Sequence, residues 1–349
     1  MVDISIVSLI YRSPEFADWV HASVLRHTPE LATGEAEFFF VANDATPELL
    51  QHLRARNYRY YELNNPSLGE EELFHLGYGA PAHMHAVYRG YNEAIRRASG
   101  HIVVLINSDN YMSRDWLENL LKYANPKRVV CSKIVERWHP RFPLFPAAYH
   151  AEFGGTPRSF DENLFLAYAE RVKQTGLEPG GAYMPCMFYR EAAVKAKLYP
   201  EGNIAGRSFQ KVVAYGDEAF FGRLRKIGVE HVTALDSIVY HLKEGEMDAT
   251  DTAGVGAARS TEAQTMPGPA IELPPSDPLF VVAVNGIRCL SRDMPTWEYI
   301  RRLMLVWLTW LYRHAPRPIA GILRRVWHAR RKRHTLRSGE ASPRRRSLP

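Results

Sequence analysis

A short apolar run that ends in a polar cluster, Val103-Val104-Leu105-Ile106-Asn107-Ser108-Asp109-Asn110, constrains the fold of this chain most strongly. Four consecutive apolar residues between turn signals are typical of a strand buried on both faces, as in a parallel sheet. The polar residues then follow the carboxyl end of that strand, where open α/β sheets bind ligands. After the cluster we predict a helix with Ser113 as its N-cap and Asp115 in its first turn. For the polar tetrapeptide alone, an Asx-type turn before that helix is an equally good interpretation.

Strand and helix patterns alternate through the first 135 residues. The signal for a helix start, an N-cap followed by proline and an acid, occurs at Ser13-Pro14-Glu15 and again at Thr46-Pro47-Glu48. Apolar runs predict strands at 4–10, 38–41, 58–63, 101–106 and 129–135, with an amphipathic helix over 84–95. This alternation predicts an α/β fold with a Rossmann-like, mostly parallel sheet. No G-x-G-x-x-G follows the first strand, which argues against an ordinary dinucleotide-binding dehydrogenase.

The second half of the chain divides by composition. We predict helices at 164–172 and 191–197 and from Asp217, and strands at 184–189 and 238–240. From residue 244 onwards small, polar, Gly and Pro residues dominate, which is typical of a linker. We therefore expect a catalytic domain at 1–245, a flexible linker at 246–278, a C-terminal helical segment at 279–333 and a basic disordered tail at 334–349.

The net charge of +6 belongs to the tail. From Arg324 to the end there are ten Lys and Arg and one Glu, a net charge of +9, so the rest of the chain has a net charge of −3. A negative net charge does not suggest nucleic-acid binding. The three widely separated cysteines suggest neither a disulfide framework nor a zinc site, and the N-terminus lacks the basic region of a signal peptide. Both features predict a cytoplasmic protein. The apolar run at 303–311 is too short to span a bilayer. Its amphipathic, Trp-bearing surroundings at 297–333 suit either peripheral contact with the inner face of the membrane or packing on the catalytic domain.

Four polar features follow predicted strands or begin a predicted helix: Asn43-Asp44, Asn107-Ser108-Asp109, Gly216-Asp217-Glu218 and His241. In a parallel sheet the first two open onto the same edge and can share one ligand. In this order the features resemble the family-2 glycosyltransferases, which have the GT-A fold, over roughly residues 3–245. The resemblance implies a nucleotide-diphosphate sugar as donor and Mn²⁺ or Mg²⁺ as cofactor.

The resemblance also assigns roles at the donor site. Asp44 matches the acid that contacts the nucleobase, although an Asx turn before Thr46 is the simpler interpretation. Asn107-Ser108-Asp109 matches the D-x-D motif, with Asn107 in place of the first carboxylate. This departure removes one negative charge and puts the metal requirement in question, and it leaves Asp109 as the main metal candidate. His241 matches a late histidine that helps to hold the metal or the diphosphate, although a lone histidine after a strand is more often structural.

The acids after Gly216 match the family's catalytic position. An inverting transfer needs a carboxylate to take the proton from the acceptor hydroxyl as it attacks the anomeric carbon. We predict that Asp217 is this general base, with Glu218 as the second candidate. Acids in the first turn are also favoured by the helix dipole, which is compatible with catalysis.

Other candidates rest on weaker patterns. Ser8 and Tyr11, after the first strand, join Asn107 and Ser108 as predicted donor-binding residues. Three basic side chains could face the diphosphate or belong to a solvated helix face: His83, His85 and Arg89. The segment 180–184 resembles the donor–acceptor junction, where small residues would let backbone approach a sugar, and a plain turn is equally compatible with it. The aromatic stretch 138–165 is the predicted acceptor region, although aromatic residues there could simply pack.

These features predict a cytoplasmic inverting glycosyltransferase that transfers a sugar to a hydroxyl of a glycan or glycolipid, in bacterial cell-surface polysaccharide biosynthesis. Two alternatives stay open. A nucleotidyltransferase on a similar sheet would need a Gly-rich basic loop after the first strand, where residues 8–15 contain Arg12 but no glycine. A non-catalytic nucleotide- or glycan-binding module is suggested by the lost carboxylate at Asn107.

Overall fold

The computed structural model describes residues 2–138, 145 and 147–243. The predicted linker at 246–278, the helical segment at 279–333 and the tail at 334–349 lie outside the described residues. Within the described part of the chain, no helix is both long enough and apolar enough to cross a membrane.

The described residues alternate between strands and helices, as the sequence pattern predicts. The strands are β1 (Ile4–Ile10), β2 (Ala36–Asn43), β3 (Tyr60–Leu63), β4 (Tyr78–Gly79), β5 (Ile102–Ile106), β6 (Asn110–Met112), β7 (Arg128–Glu136), β8 (Tyr149–His150), β9 (Leu177–Pro179), β10 (Cys186–Tyr189), β11 (Asn203–Ala205), β12 (Val212–Ala214) and β13 (Glu230–His241). The helices are α1 (Pro14–His27), α2 (Glu30–Thr33), α3 (Pro47–Ala55), α4 (Glu70–His75), α5 (His83–Arg97), α6 (Trp116–Leu121), α7 (Glu162–Val172), α8 (Arg190–Lys195) and α9 (Gly216–Lys226).

The central sheet has the strand order β3-β2-β1-β5-β10-β7-β13-β6, with β8 and β9 paired to β7 and β13. Strands β3, β2, β1 and β5 pair in parallel, and so do β7 and β13. The short strand β10 runs antiparallel to β5 and β7, and β6 runs antiparallel to β13. The predicted fold class, a mostly parallel Rossmann-like α/β sheet, is therefore confirmed. Consequently β1, β2, β5, β7 and β13 all end at one edge of the sheet.

Side chains of the central strands alternate between two hydrophobic layers. In β5, Val104 and Ile106 join the layer with α1, α3, α6 and α7, whereas Val103 and Leu105 join the layer with α5, α8 and α9. Successive side chains of a strand point to opposite faces, so a strand covered on both faces reads as a continuous apolar run. The four apolar residues that precede Asn107 are buried for this reason.

Two helix starts confirm the capping signals. The Ser13 hydroxyl accepts a hydrogen bond from the Phe16 N–H at 3.3 Å at the start of α1, and Pro14 occupies the first helical position. At the start of α3, the Thr46 hydroxyl accepts from the Leu49 N–H at 3.4 Å. A side-chain acceptor at the N-cap satisfies one of the backbone donors that a helix leaves unpaired.

The helix start predicted at Ser113 is wrong. Residues 110–112 form β6, and the Ser113 N–H still donates to the Ile238 carbonyl of β13 at 3.1 Å. Helix α6 therefore begins three residues later, at Trp116, after Asp115 has taken a left-handed conformation with φ of 58°. Pairing with β13 is a long-range interaction, which outweighs the local capping signal.

The last predicted strand is longer than expected. Strand β13 covers 12 residues rather than the predicted 238–240, because its pairing with β7 continues on both sides of an irregularity between Ala234 and Ile238. Asp236 and Ser237 lie in this irregularity and interrupt the apolar pattern, but both are buried. The Ser237 hydroxyl donates to the Trp116 carbonyl at 2.8 Å, so that a polar residue is satisfied inside the sheet.

A small second sheet was not predicted. Strands β12, β11 and β4 form it, and no strand was predicted at any of these segments; helix α4 was not predicted either. Gly79 of β4 is needed here, because a Cβ atom would lie 2.8 Å from the Phe209 carbonyl oxygen. Strands of two or three residues are too short to give a periodic pattern.

Candidate functional site

The polar cluster lies where the parallel strands end. Asn107, Ser108 and Asp109 follow β5, Asp44 follows β2, and His241 is the last residue of β13. Because these strands are parallel, the predicted residues are brought to one edge of the sheet. This is the edge at which open α/β sheets bind ligands.

Asp109 is nearly buried, with 6% of its surface exposed, and is surrounded by donors. Its Oδ2 atom lies 3.2 Å from Nε2 of His241 and accepts from the Lys243 N–H at 3.1 Å. Burial opposes ionisation of this carboxyl, but the charge and hydrogen bond of His241 outweigh it and hold the pKa of Asp109 below its ordinary value. Asp109 is therefore an anion at neutral pH.

His241 lies between two carboxylates. Its Nε2 atom faces Asp109, and its Nδ1 atom lies 3.0 Å from Oε1 of Glu136, the last residue of β7. Burial by itself would lower the pKa of His241, but these two acids raise it to about 10. When no metal ion is bound, the imidazole ring of His241 is therefore protonated and lies between the two carboxylates.

Glu136 was missed by the sequence analysis. Its Oε2 atom accepts from Nζ of Lys243 at 2.7 Å and from the Phe145 N–H at 2.9 Å. Burial disfavours the charged form, but the hydrogen bonds from His241 and Lys243 lower the pKa of Glu136 to about 2. An available signal was the position of Glu136 directly after the predicted strand at 129–135, at the same sheet edge as Asp109.

The amide of Asn107 is already engaged. Its Oδ1 atom accepts from the Tyr91 hydroxyl at 2.6 Å, and the backbone N–H of Asn107 donates to Oδ1 of Asn110 at 2.9 Å. Ser108 is half-buried in the turn. Asn107 therefore orients the loop after β5 and presents a neutral side chain where the D-x-D pattern has an acid.

Asp217 lies in the first turn of α9, as predicted, and is half-buried. Its Oδ1 atom accepts from the Glu218 N–H at 2.7 Å. Burial raises the pKa of Asp217 to about 6, and the neighbouring charge of Glu218 acts in the same direction, against the hydrogen bond from the Glu218 backbone. A carboxylate with a pKa near neutrality is suited to general base catalysis.

Tyr88 and Asn203 hold the start of α9. The Gly216 N–H donates to the Tyr88 hydroxyl and to Oδ1 of Asn203, both at 3.1 Å, and the Tyr88 hydroxyl donates to the same Asn203 oxygen at 3.2 Å. A Cβ atom on Gly216 would lie 2.2 Å from the Tyr88 ring, so only glycine allows this approach. Sequence reasoning missed both Tyr88 as a support for α9 and Asn203, which lies in the unpredicted strand β11.

Helix α5 connects the two parts of the site. Tyr88 and Tyr91 are three residues apart and therefore lie on one face of the helix. Tyr88 contacts the start of α9, and Tyr91 contacts the loop after β5 through Asn107. Burial raises the pKa of Tyr91, and nearby charges that include Asp109 and Asp217 raise it further. Asp109 and Asp217 thus act electrostatically on one buried hydroxyl.

The remaining predicted donor residues lie in different environments. Asp44 is exposed with φ of 51°, and its N–H donates to the Leu63 carbonyl at 2.8 Å, as a turn residue would. Ser8 is fully buried in β1, and its hydroxyl donates to the Leu9 carbonyl. Tyr11 is half-buried after β1, where the Arg12 guanidinium lies over its ring. Asp44 and Tyr11 can reach a ligand, whereas Ser8 has no exposed surface to offer.

The structure places the weaker candidate residues in different environments. His85 is buried, and its Nδ1 atom contacts the Glu201 carbonyl, whereas His83 is exposed and Arg89 is half-buried. In the segment 180–184, a Cβ atom on Gly181 would lie 1.9 Å from Oγ1 of Thr233. The small residue is therefore required by packing against β13, which supports the interpretation of this segment as a turn.

The predicted acceptor region is described only in part. Trp138 is 69% exposed at its beginning, whereas Phe153, Phe160 and Phe165 pack around Tyr240 of β13. The role of 138–165 in acceptor recognition stays a prediction.

Asp109 and His241 present atoms of the kinds that coordinate divalent cations. Among the described residues, no group of three or more His, Cys, Asp or Glu side chains could hold a metal ion. Oδ2 of Asp109 and Nε2 of His241 nevertheless face each other, and carboxylate oxygen and imidazole nitrogen are both ligands for first-row metals. Two protein ligands are sufficient for a cation of the Mg²⁺ type, which keeps several waters and binds substrate phosphates.

Comparisons with known proteins agree with this arrangement. Residues 84–196 match the sequence profile described as glycosyl transferase family 2. The matched region begins in α5 and ends after α8, and it includes Asn107, Ser108 and Asp109. No curated protein matches the chain at a significant level.

The solved structures that match this chain include residues 1–349 of S. aureus TarS. That structure has 14% sequence identity and a TM-score of 0.44 over 86% of this chain and 69% of the other. A second is GalNAc-T7 with UDP, GalNAc and Mn²⁺, with 13% identity and a TM-score of 0.44 over 69% of this chain and 44% of the other. The profile match confirms the resemblance predicted from the motifs: residues 84–196 of this chain are similar to glycosyl transferase family 2.

Proposed function

We propose that this protein is an inverting glycosyltransferase that moves a sugar from a nucleotide-diphosphate sugar to a hydroxyl of a glycan or glycolipid. One observation carries the proposal beyond the family match. Helix α5 links the two acids: the Tyr91 hydroxyl donates to Asn107, in the loop that carries Asp109, and the Tyr88 hydroxyl accepts from the N–H of Gly216, the residue before Asp217. This link supports the proposal that a donor site at Asp109 and a general base at Asp217 belong to one site.

In this proposal Asp217 accepts the proton of the acceptor hydroxyl while that oxygen attacks the anomeric carbon. With a pKa of about 6, the carboxylate is mostly ionised at neutral pH and still has a significant affinity for a proton. Glu218 follows directly in α9 and would be the alternative base. Tyr88 and Asn203 hold Gly216, so the first turn of α9 keeps Asp217 in place.

At the donor side, Asp109 and His241 would hold Mn²⁺ or Mg²⁺, which when bound supplies positive charge to the leaving diphosphate. Asn107 and Ser108 would line the same loop. Asp44 and Tyr11, at the ends of β2 and β1, would contact the nucleoside. Ser8 would act only through the backbone of β1, since its side chain is buried.

The proposed setting is the synthesis of a cell-surface polysaccharide. The amphipathic, Trp-bearing stretch at 297–333 would bring the enzyme to the inner face of the membrane, near a lipid-linked acceptor. This part of the proposal rests on the sequence, because the stretch lies outside the described residues.

The first test is calorimetric titration with UDP and with GDP, each with and without Mn²⁺. We expect Mn²⁺-dependent binding of one nucleotide, which Asp109→Asn abolishes and Asp115→Asn leaves unchanged. Asp115 is a matched control, because it is an exposed aspartate in a left-handed turn that asparagine tolerates. Nucleotide binding that depends neither on Mn²⁺ nor on the Asp109 carboxylate would refute the proposed metal site.

The second test separates catalysis from binding. With the sugar donor that the titration indicates, Asp217→Asn should keep its nucleotide affinity and lose turnover by at least about 100-fold, the usual contribution of a general base. Transfer at the wild-type rate by this variant would refute Asp217 as the base. Nucleotide binding without any turnover of the wild-type protein would instead favour a non-catalytic binding module.

A further inference from the structure

Glu136 is a buried acid of this sheet edge that the proposed function leaves without a role. Only 3% of its surface is exposed, so it has little area with which to contact a substrate. Each of its oxygens is nevertheless engaged: Oε1 by His241, and Oε2 by Lys243 and the Phe145 backbone. A buried acid with this many donors has a fixed orientation.

The contact with Glu136 determines which nitrogen of His241 keeps its proton when a metal binds. Glu136 accepts from Nζ of Lys243 at 2.7 Å and from the Phe145 N–H at 2.9 Å, as a carboxylate does, so Nδ1 of His241, at 3.0 Å from the other oxygen, is the donor. The other nitrogen, Nε2, then faces Oδ2 of Asp109 at 3.2 Å. When a cation replaces the proton on Nε2, this tautomer leaves the Nε2 lone pair directed toward Asp109.

We propose that Glu136 is a positioning residue for the metal site: it fixes the Nδ1–H tautomer of His241 and directs Nε2, together with Asp109, toward the divalent cation of the donor. The inference rests on the proposed function. Histidines that ligate metals almost always donate their other N–H to a carboxylate, carbonyl or water, and this partner raises the basicity of the ligand. Lys243 holds Glu136 on the side opposite His241.

A carboxylate partner suits a histidine that faces Asp109. Asn107 occupies the place of an acid in the D-x-D pattern, so the loop after β5 offers one negative charge, that of Asp109, instead of two. Glu136, at the end of β7, places a second carboxylate on the other side of the His241 ring, and Lys243 pairs with the remaining oxygen of Glu136. The merely structural alternative is that Glu136 ties the end of β7 to the end of β13.

The test is Mn²⁺ titration of the full-length protein, with free Mn²⁺ measured by electron paramagnetic resonance. We expect Glu136→Gln to weaken Mn²⁺ binding by about 10-fold to 100-fold, as is typical for such supporting carboxylates. The matched control is Glu37→Gln, because Glu37 is also a buried strand acid with an arginine partner but begins β2 at the opposite edge of the sheet. The control should bind Mn²⁺ like the wild-type protein.

The outcomes separate the inference from the proposed function. If His241→Ala weakens Mn²⁺ binding but Glu136→Gln does not, the metal site stands and the role of Glu136 is refuted. If neither His241→Ala nor Asp109→Asn changes Mn²⁺ binding, the metal site itself is refuted, and the inference with it.

A second measurement needs no Glu136 variant and so remains decisive if that variant does not fold. Nitrogen-15 spectra of the histidine rings in the wild-type protein loaded with Zn²⁺, a diamagnetic probe, should show His241 with its proton on Nδ1 and the metal on Nε2. His241→Ala identifies the signal. A proton on Nε2, or no response of this ring to Zn²⁺, would overturn the inference.

Discussion

Replacing Asp217 by asparagine should stabilise the fold above pH 6 while it removes the proposed base. Burial raises the pKa of Asp217 from an ordinary 3.8 to about 6, so the folded protein disfavours the charged carboxylate. A tenfold change in an ionisation constant corresponds to about 1.4 kcal/mol, and the free energy of unfolding is therefore lowered by up to about 3 kcal/mol when Asp217 is ionised. Asparagine has the shape of the protonated acid, and its Oδ1 can still accept from the Glu218 N–H.

The sign follows from the raised pKa. Below about pH 4 the side chain of Asp217 is protonated in both the folded and the unfolded state, so the wild type and Asp217→Asn should have similar free energies of unfolding. Between about pH 4 and pH 6 the unfolded chain ionises while the folded protein keeps the proton, so the wild type loses stability relative to the variant, and the difference should be constant above about pH 7. The assay is urea unfolding followed by circular dichroism at a series of pH values from 4 to 8.

The control is Glu48→Gln, which removes a carboxylate from the second position of helix α3, where Asp217 stands in α9. Glu48 is exposed, so its loss should cost only a few tenths of a kcal/mol through the helix dipole. A destabilised Asp217→Asn at pH 8, or a difference that does not depend on pH, would refute the argument that burial strains this carboxylate.

Two further predictions concern local packing and capping. Gly216→Ala should lower the free energy of unfolding by roughly 1–3 kcal/mol, because the new Cβ would lie 2.2 Å from the buried Tyr88 ring. Gly222→Ala in the same helix should raise the free energy of unfolding by roughly 0.5–1 kcal/mol, because the nearest atom to its new Cβ would be 3.8 Å away. If urea unfolding shows the same change in stability for both variants, the contact with Tyr88 is contradicted. Ser13→Ala should lower the free energy of unfolding by about 1 kcal/mol in the same assay, because it removes the acceptor for the Phe16 N–H. Ser13→Asp keeps an acceptor and should keep most of the stability. Equal losses of stability in both variants would show that this cap contributes little.

The elements that could be predicted are those with a local cause. The N-caps at Ser13 and Thr46 are recognisable because serine or threonine, proline and an acid act over four consecutive residues. Strand β5 is recognisable because burial on both faces requires an uninterrupted apolar run. The N-cap predicted at Ser113 failed, since the pairing partner of that segment, β13, lies more than 120 residues later in the chain.

The candidate site divides in the same way. Asp109 and Asp217 were identified because each follows a recognisable strand end or helix start, in an order typical of one family. Glu136, Asn203 and Tyr88 were not, because their partners are distant in sequence: Glu136 meets His241 across 105 residues, and Tyr88 meets Asn203 across 115. No local pattern indicates such pairs.

By itself the sequence determined that a buried parallel strand ends in an acid, that further polar residues follow other strands, and that a helix begins with Asp217. These are consequences of hydrophobic periodicity and of capping, which act between near neighbours in the chain. Only the tertiary structure decided that His241 lies between Asp109 and Glu136, and that burial raises the pKa of Asp217 to about 6. The physical reason is that strand order and burial are set by the packing of the whole sheet, and both the proton affinity and the partners of a side chain depend on that packing.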